Sequence, residues 1–260
     1  MKIIGIMRTK NNEDIIGNTL KNFEPLVDHI IIHDDNSVDK TVEICKKFKK
    51  VKFIIINSKN YYDAAEDKNI LIHLARFLDG DWILNMDSDE VFEDRIVKLG
   101  KLFFENLIWR SKHKIALFHF PLYHFWKSNT HYRIDSMWSP YTLNNYRPKL
   151  FQLQPQIQFK REECTGNFPT KIIGAYSFIA DVRVKHYGYR NEEQIKQKYE
   201  IYKQTGLKKL KYINRMLDES NLRLMKWYED YNLEKEHRKE VMDFIIKEKI
   251  KWNKKYGFMR

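Results

Sequence analysis

IIIHDDNSVDKTVEICKKFKKVKFIII (Ile30–Ile56) decides the fold. It opens with a short apolar run and breaks in an acidic turn, Asp34-Asp35-Asn36-Ser37. It continues through Val38–Phe48, where Val42, Cys45 and Phe48 are spaced for one helical face. It closes on a second apolar run, Val51–Ile56. Strand, helix and strand joined by short links predict a parallel pair with its crossover helix. Outward from this unit the pattern repeats. Lys2–Met7 reads as a strand, Glu13–Phe23 as a helix, Ala64–Leu78 as a helix, and Trp82–Asn85 as a fourth strand ending in Met86-Asp87. Such alternation predicts an α/β fold with a mostly parallel sheet and helices on both faces.

After Asp89 the pattern changes. Val91–Trp109 reads as one helix, and Ile115–Phe120, Lys149–Leu153 and Val182–His186 read as strands. Tyr123–Tyr146 is aromatic and irregular, and from Glu192 onward the chain reads as helical. The expected organisation is a catalytic domain over 1–190, with halves of about 1–100 and 101–190. A basic helical extension over 191–260 follows it.

Composition narrows the class. The 260 residues are 43% hydrophobic, 14% aromatic and 32% charged, enough apolar material for one sizeable core and too aromatic for disorder. Two cysteines, Cys45 and Cys164, exclude a disulfide scaffold and a cysteine-based zinc cluster, and point to a reducing compartment. No apolar run approaches the roughly 20 residues that span a bilayer, so the expectation is a cytoplasmic protein, peripheral to a membrane at most. The net charge is +12. Val182–Arg260 alone carries 21 Lys and Arg against 12 Asp and Glu, or +9. Such a region suits an anionic surface or a phosphate-bearing ligand, and equally a solvated helical face.

Open parallel sheets bind ligands beyond the carboxyl ends of their strands. That edge receives Arg8-Thr9-Lys10-Asn11, Asp34-Asp35-Asn36-Ser37 and Asp87-Ser88-Asp89-Glu90. Neither G-x-G-x-x-G nor G-x-x-x-x-G-K-[ST] occurs, which disfavours a dinucleotide fingerprint and a P-loop. Acidic turns suggest a nucleotide held by side chains and a cation. D-x-D occurs twice. Asp79-Gly80-Asp81 precedes a strand and reads as a turn, whereas Asp87-Ser88-Asp89 follows one at the ligand edge. Asp87, Asp89 and Glu90 repel one another without a cation, and oxygen ligands favour Mg²⁺ or Mn²⁺. The same acids would also suit a solvated turn or a helix N-terminus before Val91.

These residues carry a family resemblance. Ile30–Thr41, then EDKNILIHLARFLDGDWILNMDSDE (Glu66–Glu90), and the opening IGIMRTKNNEDIIGNTLKNF, resemble family-2-type glycosyltransferases of the nucleotide-sugar-binding GT-A fold, which is Rossmann-like. The likeness resumes at RPKLF (Arg147–Phe151) and KHYGYRNEEQIKQKYEIY (Lys185–Tyr202). It implies roles. Arg8, Thr9, Asp34 and Asp35 would line the nucleotide pocket, and Lys68 would reach the diphosphate or donor sugar. Asp87 would contact ribose or metal, Asp89 would bind the metal, and His186 would complete the site around Mn²⁺ or Mg²⁺. Asn36 stands where glycine is common in this family's turn. The implied reaction is inverting transfer of a sugar from a nucleotide diphosphate sugar, a UDP-sugar first, to a hydroxyl of a glycan or lipid-linked acceptor.

Inversion needs a general base opposite the leaving group. Glu163, in REECTG, is the first candidate and Asp135, in YRIDSMW, the reserve. Phe125, Trp126, Trp138 and Tyr141 could supply one or two acceptor contacts, or fill a core. Trp252, Tyr256 and Phe258 among Lys249, Lys251, Lys254 and Lys255 suit an anionic membrane surface, or a structural cap. The competing classes are a nucleotidyltransferase, which would want a glycine in Arg8–Asn12, and a nucleic-acid-binding module. The latter shows no known signature and has acids at its ligand edge, so no nucleic-acid partner is expected.

Overall fold

A computed structural model describes residues 1–57, 63–111, 116–135, 138–142, 145–160, 176–204 and 217–230. Its first half follows the expected alternation: β1 (Ile3–Thr9), α1 (Ile16–Phe23), β2 (His29–Asp34), α2 (Thr41–Cys45), β3 (Val51–Ile56), α3 (Ala64–Phe77) and β4 (Trp82–Asp87). β1 lies between β2 and β4, parallel to both, and β2 pairs with β3, also in parallel. Alternate side chains enter opposite cores, as the two-residue period of a strand requires. Ile3, Met7, Ile30, Ile32, Trp82 and Leu84 pack with Leu20 and Phe23 of α1. Ile4, Ile6, Ile31 and Ile83 pack with Leu71, Ile72 and Ala75 of α3.

The next stretch departs from the expected single helix over Val91–Trp109. It forms β5 (Glu90–Phe92), α4 (Asp94–Leu99) and α5 (Lys101–Arg110). Gly100, at φ +62°, breaks the two helices, a backbone angle that glycine tolerates and other residues resist. Phe92 on β5 is fully buried against Phe104 and Phe120, with ring centroids 5.4 and 5.8 Å away. That burial pulls Glu90–Phe92 into an extended strand.

β6 (Ala116–Trp126) runs six residues beyond the expected end at Phe120, and β7 (His131–Arg133) pairs with it through Phe125 and Tyr132. β8 (Tyr146–Gln152) is antiparallel to both β4 and β6, joining the halves into a mixed sheet. β9 (Tyr176–Ile179) and β10 (Val184–Tyr189) run parallel to β6, and β10 also pairs antiparallel with β5. α6 (Glu192–Gln204) follows, and β11 (Leu224–Lys226) ends the described elements.

The chain divides into two units, Met1–Met225 and Lys226–Arg260. The division expected at residue 190 therefore falls inside the first unit, which contains α6. The helical reading from Glu192 onward holds for α6 but not for Leu224–Lys226, which is a strand. The basic aromatic stretch over 249–258 lies outside the described residues. Among the described residues no helix is long and apolar enough to cross a membrane.

Candidate active site

The parallel register brings the expected donor residues to one edge. Arg8 stands opposite His33 on β2 and Asp87 on β4, and Thr9 stands opposite Asp34. Arg8 is 2.8 Å from the carboxylate of Asp67 on α3, whose other oxygen lies 3.3 Å from His33 Nε2. Thr9 is buried, and its hydroxyl has no hydrogen-bond partner among the described residues. A buried hydroxyl without a partner is costly, and a ligand hydrogen bond would relieve that cost.

Asp34 and Asp35 have different tasks. Asp34 is fully buried and accepts hydrogen bonds from the Ser37 N–H at 2.7 Å and the Ser37 hydroxyl at 2.5 Å. It closes the turn in which Asn36 takes φ +56°, the left-handed angle that asparagine bears well. Asp35 is half-buried beyond the strand end, accepting from Asn57 Nδ2 at 2.8 Å and pairing with Lys10 at 3.2 Å. Asp35 thus lies at the ligand edge, while Asp34 supports it from below. Lys68, on α3, is buried, and its ammonium sits 5.2 Å from the Phe159 ring centre. Burial pulls its pKa down to about 8, against the attraction of Asp87.

The Asp87–Glu90 turn is tied down from several sides. Ser88 receives hydrogen bonds from Thr19 Oγ1 at 2.8 Å and Asn12 Nδ2 at 2.9 Å. Glu90 accepts the Asp87 N–H at 2.8 Å and forms a fully buried ion pair with Lys149 of β8. Burial would raise the Asp87 carboxyl, but Lys149 and then Lys68 more than offset it, and its pKa lies below the usual value. Asp89 accepts from Lys198 of α6 at 2.9 Å and lies 3.6 Å from His186 Nε2. Its carboxyl is also held low, the Lys198 ammonium more than offsetting burial.

A chain of polar contacts orients His186. Asn145 Nδ2 donates to the Ser139 carbonyl at 2.8 Å, which turns its Oδ1 toward His124 Nε2, 3.0 Å away. His124 therefore carries its proton on Nε2 and offers a lone pair at Nδ1. His186 Nδ1, 2.8 Å away, must donate to it. The free lone pair of His186 is then on Nε2, aimed at the Asp89–Lys198 pair. Second contacts commonly select a histidine tautomer in this way. Both rings are buried and neutral: burial lowers His186 to about 4 and His124 well below its ordinary value.

The expected metal site was Asp87, Asp89 and His186. Among the described residues no three His, Cys, Asp or Glu side chains are grouped to hold a metal ion. Asp89 and His186 do converge, but on the Lys198 ammonium, 2.9 Å from one and 3.5 Å from the other. The donor set therefore already faces a cation, and a divalent ion does not fit it with Lys198 in place.

Of the two candidate bases, Glu163 lies outside the described residues. Asp135 is buried in a two-pronged pair with Arg133, at 2.8 and 2.9 Å. Arg133 in turn stacks on Trp126 and Trp138, 4.4 and 5.3 Å from their ring centres. That pairing makes Asp135 a structural anion. Trp126 and Trp138 form a small core with Tyr189 and Ile195, and Phe125 is fully buried, so these three aromatics pack rather than wait for a sugar. Tyr141 is half-buried, its hydroxyl 3.1 Å from that of Tyr132.

Sequence reasoning missed His124, Lys149 and Lys198. Lys198 lay in plain view within Lys185–Tyr202, 12 residues from His186, but nothing in its spacing set it apart from the other lysines of a basic helix.

Residues 6–106 match the family model for glycosyl transferase family 2. The matched segment runs from within β1 into α5, so Arg8, Thr9, Asp35, Lys68, Asp87 and Asp89 all fall inside this family 2 segment, whereas His186 and Lys198 lie beyond it. No curated protein matches the chain significantly. Among solved structures it is similar to residues 1–349 of S. aureus TarS, with 16% identity and TM-score 0.48, over 76% of this chain and 64% of that one. The same protein in complex with UDP gives 17% identity and TM-score 0.47, over 84% and 70%. Glucosyl-3-phosphoglycerate synthase from Mycobacterium tuberculosis, solved with Mn²⁺, UDP and glucosyl-3-phosphoglycerate, gives 18% and 0.33, over 47% and 44%. The chain thus spans less than two thirds of the first TarS structure and under half of the synthase.

Proposed function

We propose that the protein is an inverting glycosyltransferase, moving a sugar from a nucleotide diphosphate sugar to an acceptor hydroxyl. One observation carries this reading. Within the family 2 segment, the carboxyl ends of β1, β2 and β4 gather Arg8, Thr9, Asp35 and Asp87 at one edge, with Lys68 of α3 electrostatically coupled to Asp87. Each has a chemical task. Asp35 accepts hydrogen bonds from the base or ribose, and the unsatisfied Thr9 hydroxyl donates one. Lys68 stays mostly protonated at neutral pH, and its partly desolvated charge gains most from an approaching diphosphate.

Transfer with inversion is a single displacement. The acceptor oxygen bonds to the anomeric carbon as the bond to the leaving diphosphate breaks, and the hydroxyl proton passes to a base. Positive charge fixed beside the diphosphate stabilises the charge that develops there. Glu163 is the proposed base. Asp135, held by Arg133, is not free for that task. A UDP-sugar is the first donor to test.

Saturation-transfer NMR with a mixture of UDP-, GDP-, CDP- and dTDP-sugars tests the reading. The expected result is transfer to the base and anomeric protons of one donor, abolished by Asp35→Ala. Absence of transfer to any donor, from folded protein, overturns it.

A further inference from the structure

We infer that the Lys198 ammonium occupies the cation position of the donor site, so that this chain binds a nucleoside diphosphate without a divalent metal. The inference rests on the donor-binding reading above and goes beyond it in naming the cation.

Four observations converge on one atom. Lys198 Nζ lies 2.9 Å from Asp89 Oδ2. It lies 3.5 Å from His186 Nε2, the nitrogen that the Asn145–His124 relay leaves with its lone pair free. It stands 4.8 Å from the ring centre of Tyr189. The fourth is the space itself. A Cβ at Gly188 would overlap Lys198 Nζ and come within 2.7 Å of both Asp89 Oδ2 and His186 Cε1. The missing side chain at residue 188 makes the room that the ammonium fills. A carboxylate, an imidazole lone pair, an aromatic face and a bare backbone thus form a cradle for a monovalent organic cation.

A divalent ion bound by Asp89 and His186 would stand against this ammonium, and like charges so close repel strongly. Lys198 and the ion are therefore mutually exclusive. The lysine has a practical advantage as the resident cation. It is covalently attached, so its position is independent of metal supply. Its side chain is 22% exposed, against 12% for Asp89. A lysine serves there as a point charge with rotatable donors. Lys198 and Lys68 then both bring positive charge to the site.

Calorimetry tests this with UDP, GDP, CDP and dTDP, each in EDTA and in Mn²⁺, and with Mn²⁺ alone. The proteins are wild type, Lys198→Ala, Lys198→Met and Lys198→Arg, with folding checked by circular dichroism. Lys198→Met keeps the stem packed over Tyr189 should the alanine variant lose its fold. The expected result is binding of one nucleotide by the wild type in EDTA, with Mn²⁺ changing affinity less than about threefold. Lys198→Met loses about tenfold or more, the scale of one charge-assisted contact, and Lys198→Arg keeps most of the affinity. Mn²⁺ alone binds Lys198→Met, where Asp89 and His186 are released, more tightly than the wild type. Wild-type binding that appears only with Mn²⁺, or unchanged affinity in Lys198→Met and Lys198→Ala, overturns the inference but leaves the donor-binding reading intact. No nucleotide bound by folded wild type under any condition overturns both.

Discussion

Lys149→Met should be among the most damaging single changes in the protein, and its cost should depend on pH. Lys149 and Glu90 are both fully buried and ion-paired, and Glu90 also accepts the Asp87 N–H. Removing one member of a buried pair leaves an uncompensated charge and costs about 3–5 kcal/mol. Burial raises the Glu90 carboxyl, Lys149 pulls it part of the way back, and the result is a pKa of about 7 against an ordinary 4.5. A folded-state pKa above the unfolded one means that Glu90 favours folding when protonated. Its contribution to stability falls as pH rises from 4.5 through 7. Without Lys149 the folded pKa moves higher still, at about 1.4 kcal/mol for each unit. Lys149→Met should therefore lose the full 3–5 kcal/mol at pH 8 and less than half of it at pH 5.5, where Glu90 holds its proton. Lys149→Met combined with Glu90→Gln should recover most of the loss. Urea unfolding of the three proteins at both pH values measures this. A loss under 1 kcal/mol at pH 8, or the same loss at both pH values, would refute the reasoning.

Three further outcomes follow from the same geometry. Gly188→Ala places a methyl group where the Lys198 ammonium sits. It should weaken nucleotide binding about as much as Lys198→Met, and unchanged affinity would contradict the crowding argument. Stability should fall as pH drops from about 6.5 to 4. His124 and His186 are held neutral when folded, with His186 lowered to about 4, so the unfolded chain takes up the protons first. The slope should reach about 1.4 kcal/mol per pH unit for each ring, and a flat urea midpoint over that range would contradict it. Phe104→Ala empties the centre of the Phe92–Phe104–Phe120 cluster and should cost about 3–5 kcal/mol in the same assay without changing nucleotide affinity.

The first ninety residues were legible because each element there obeys one period. Ile3–Met7 and Ile30–Ile32 are apolar on both faces, as buried parallel strands must be, and Ile16, Leu20 and Phe23 fall on one face of α1. Local pattern and tertiary setting agree, so the strand ends and their acids could be placed. Beyond Asp89 they part company. Glu90–Phe92 has no strand pattern of its own and becomes one by pairing with β10. Tyr123–Trp126 looks irregular because aromatic and histidine side chains fill both faces of β6. Asp34 and Asp35 are neighbours with one chemistry, and only the turn geometry separates the fully buried residue that closes the turn from the half-buried one. Asp135 and Arg133 are two apart and look like a solvated pair, yet two tryptophans bury them. Lys198 is the clearest case. The sequence offered an acid pair and a histidine that asked for a cation, and the cation came from a helix more than a hundred residues away from Asp89.

The most direct test of the account is a crystal structure of the protein grown with its tightest-binding nucleoside diphosphate in EDTA. The expected structure has the base beside Thr9 and Asp35 and the diphosphate between Lys68 and Lys198, with Lys198 still touching Asp89. A nucleotide bound away from the ends of β1, β2 and β4, or a site that fills only when Mn²⁺ is added and Lys198 has moved off Asp89, would contradict it.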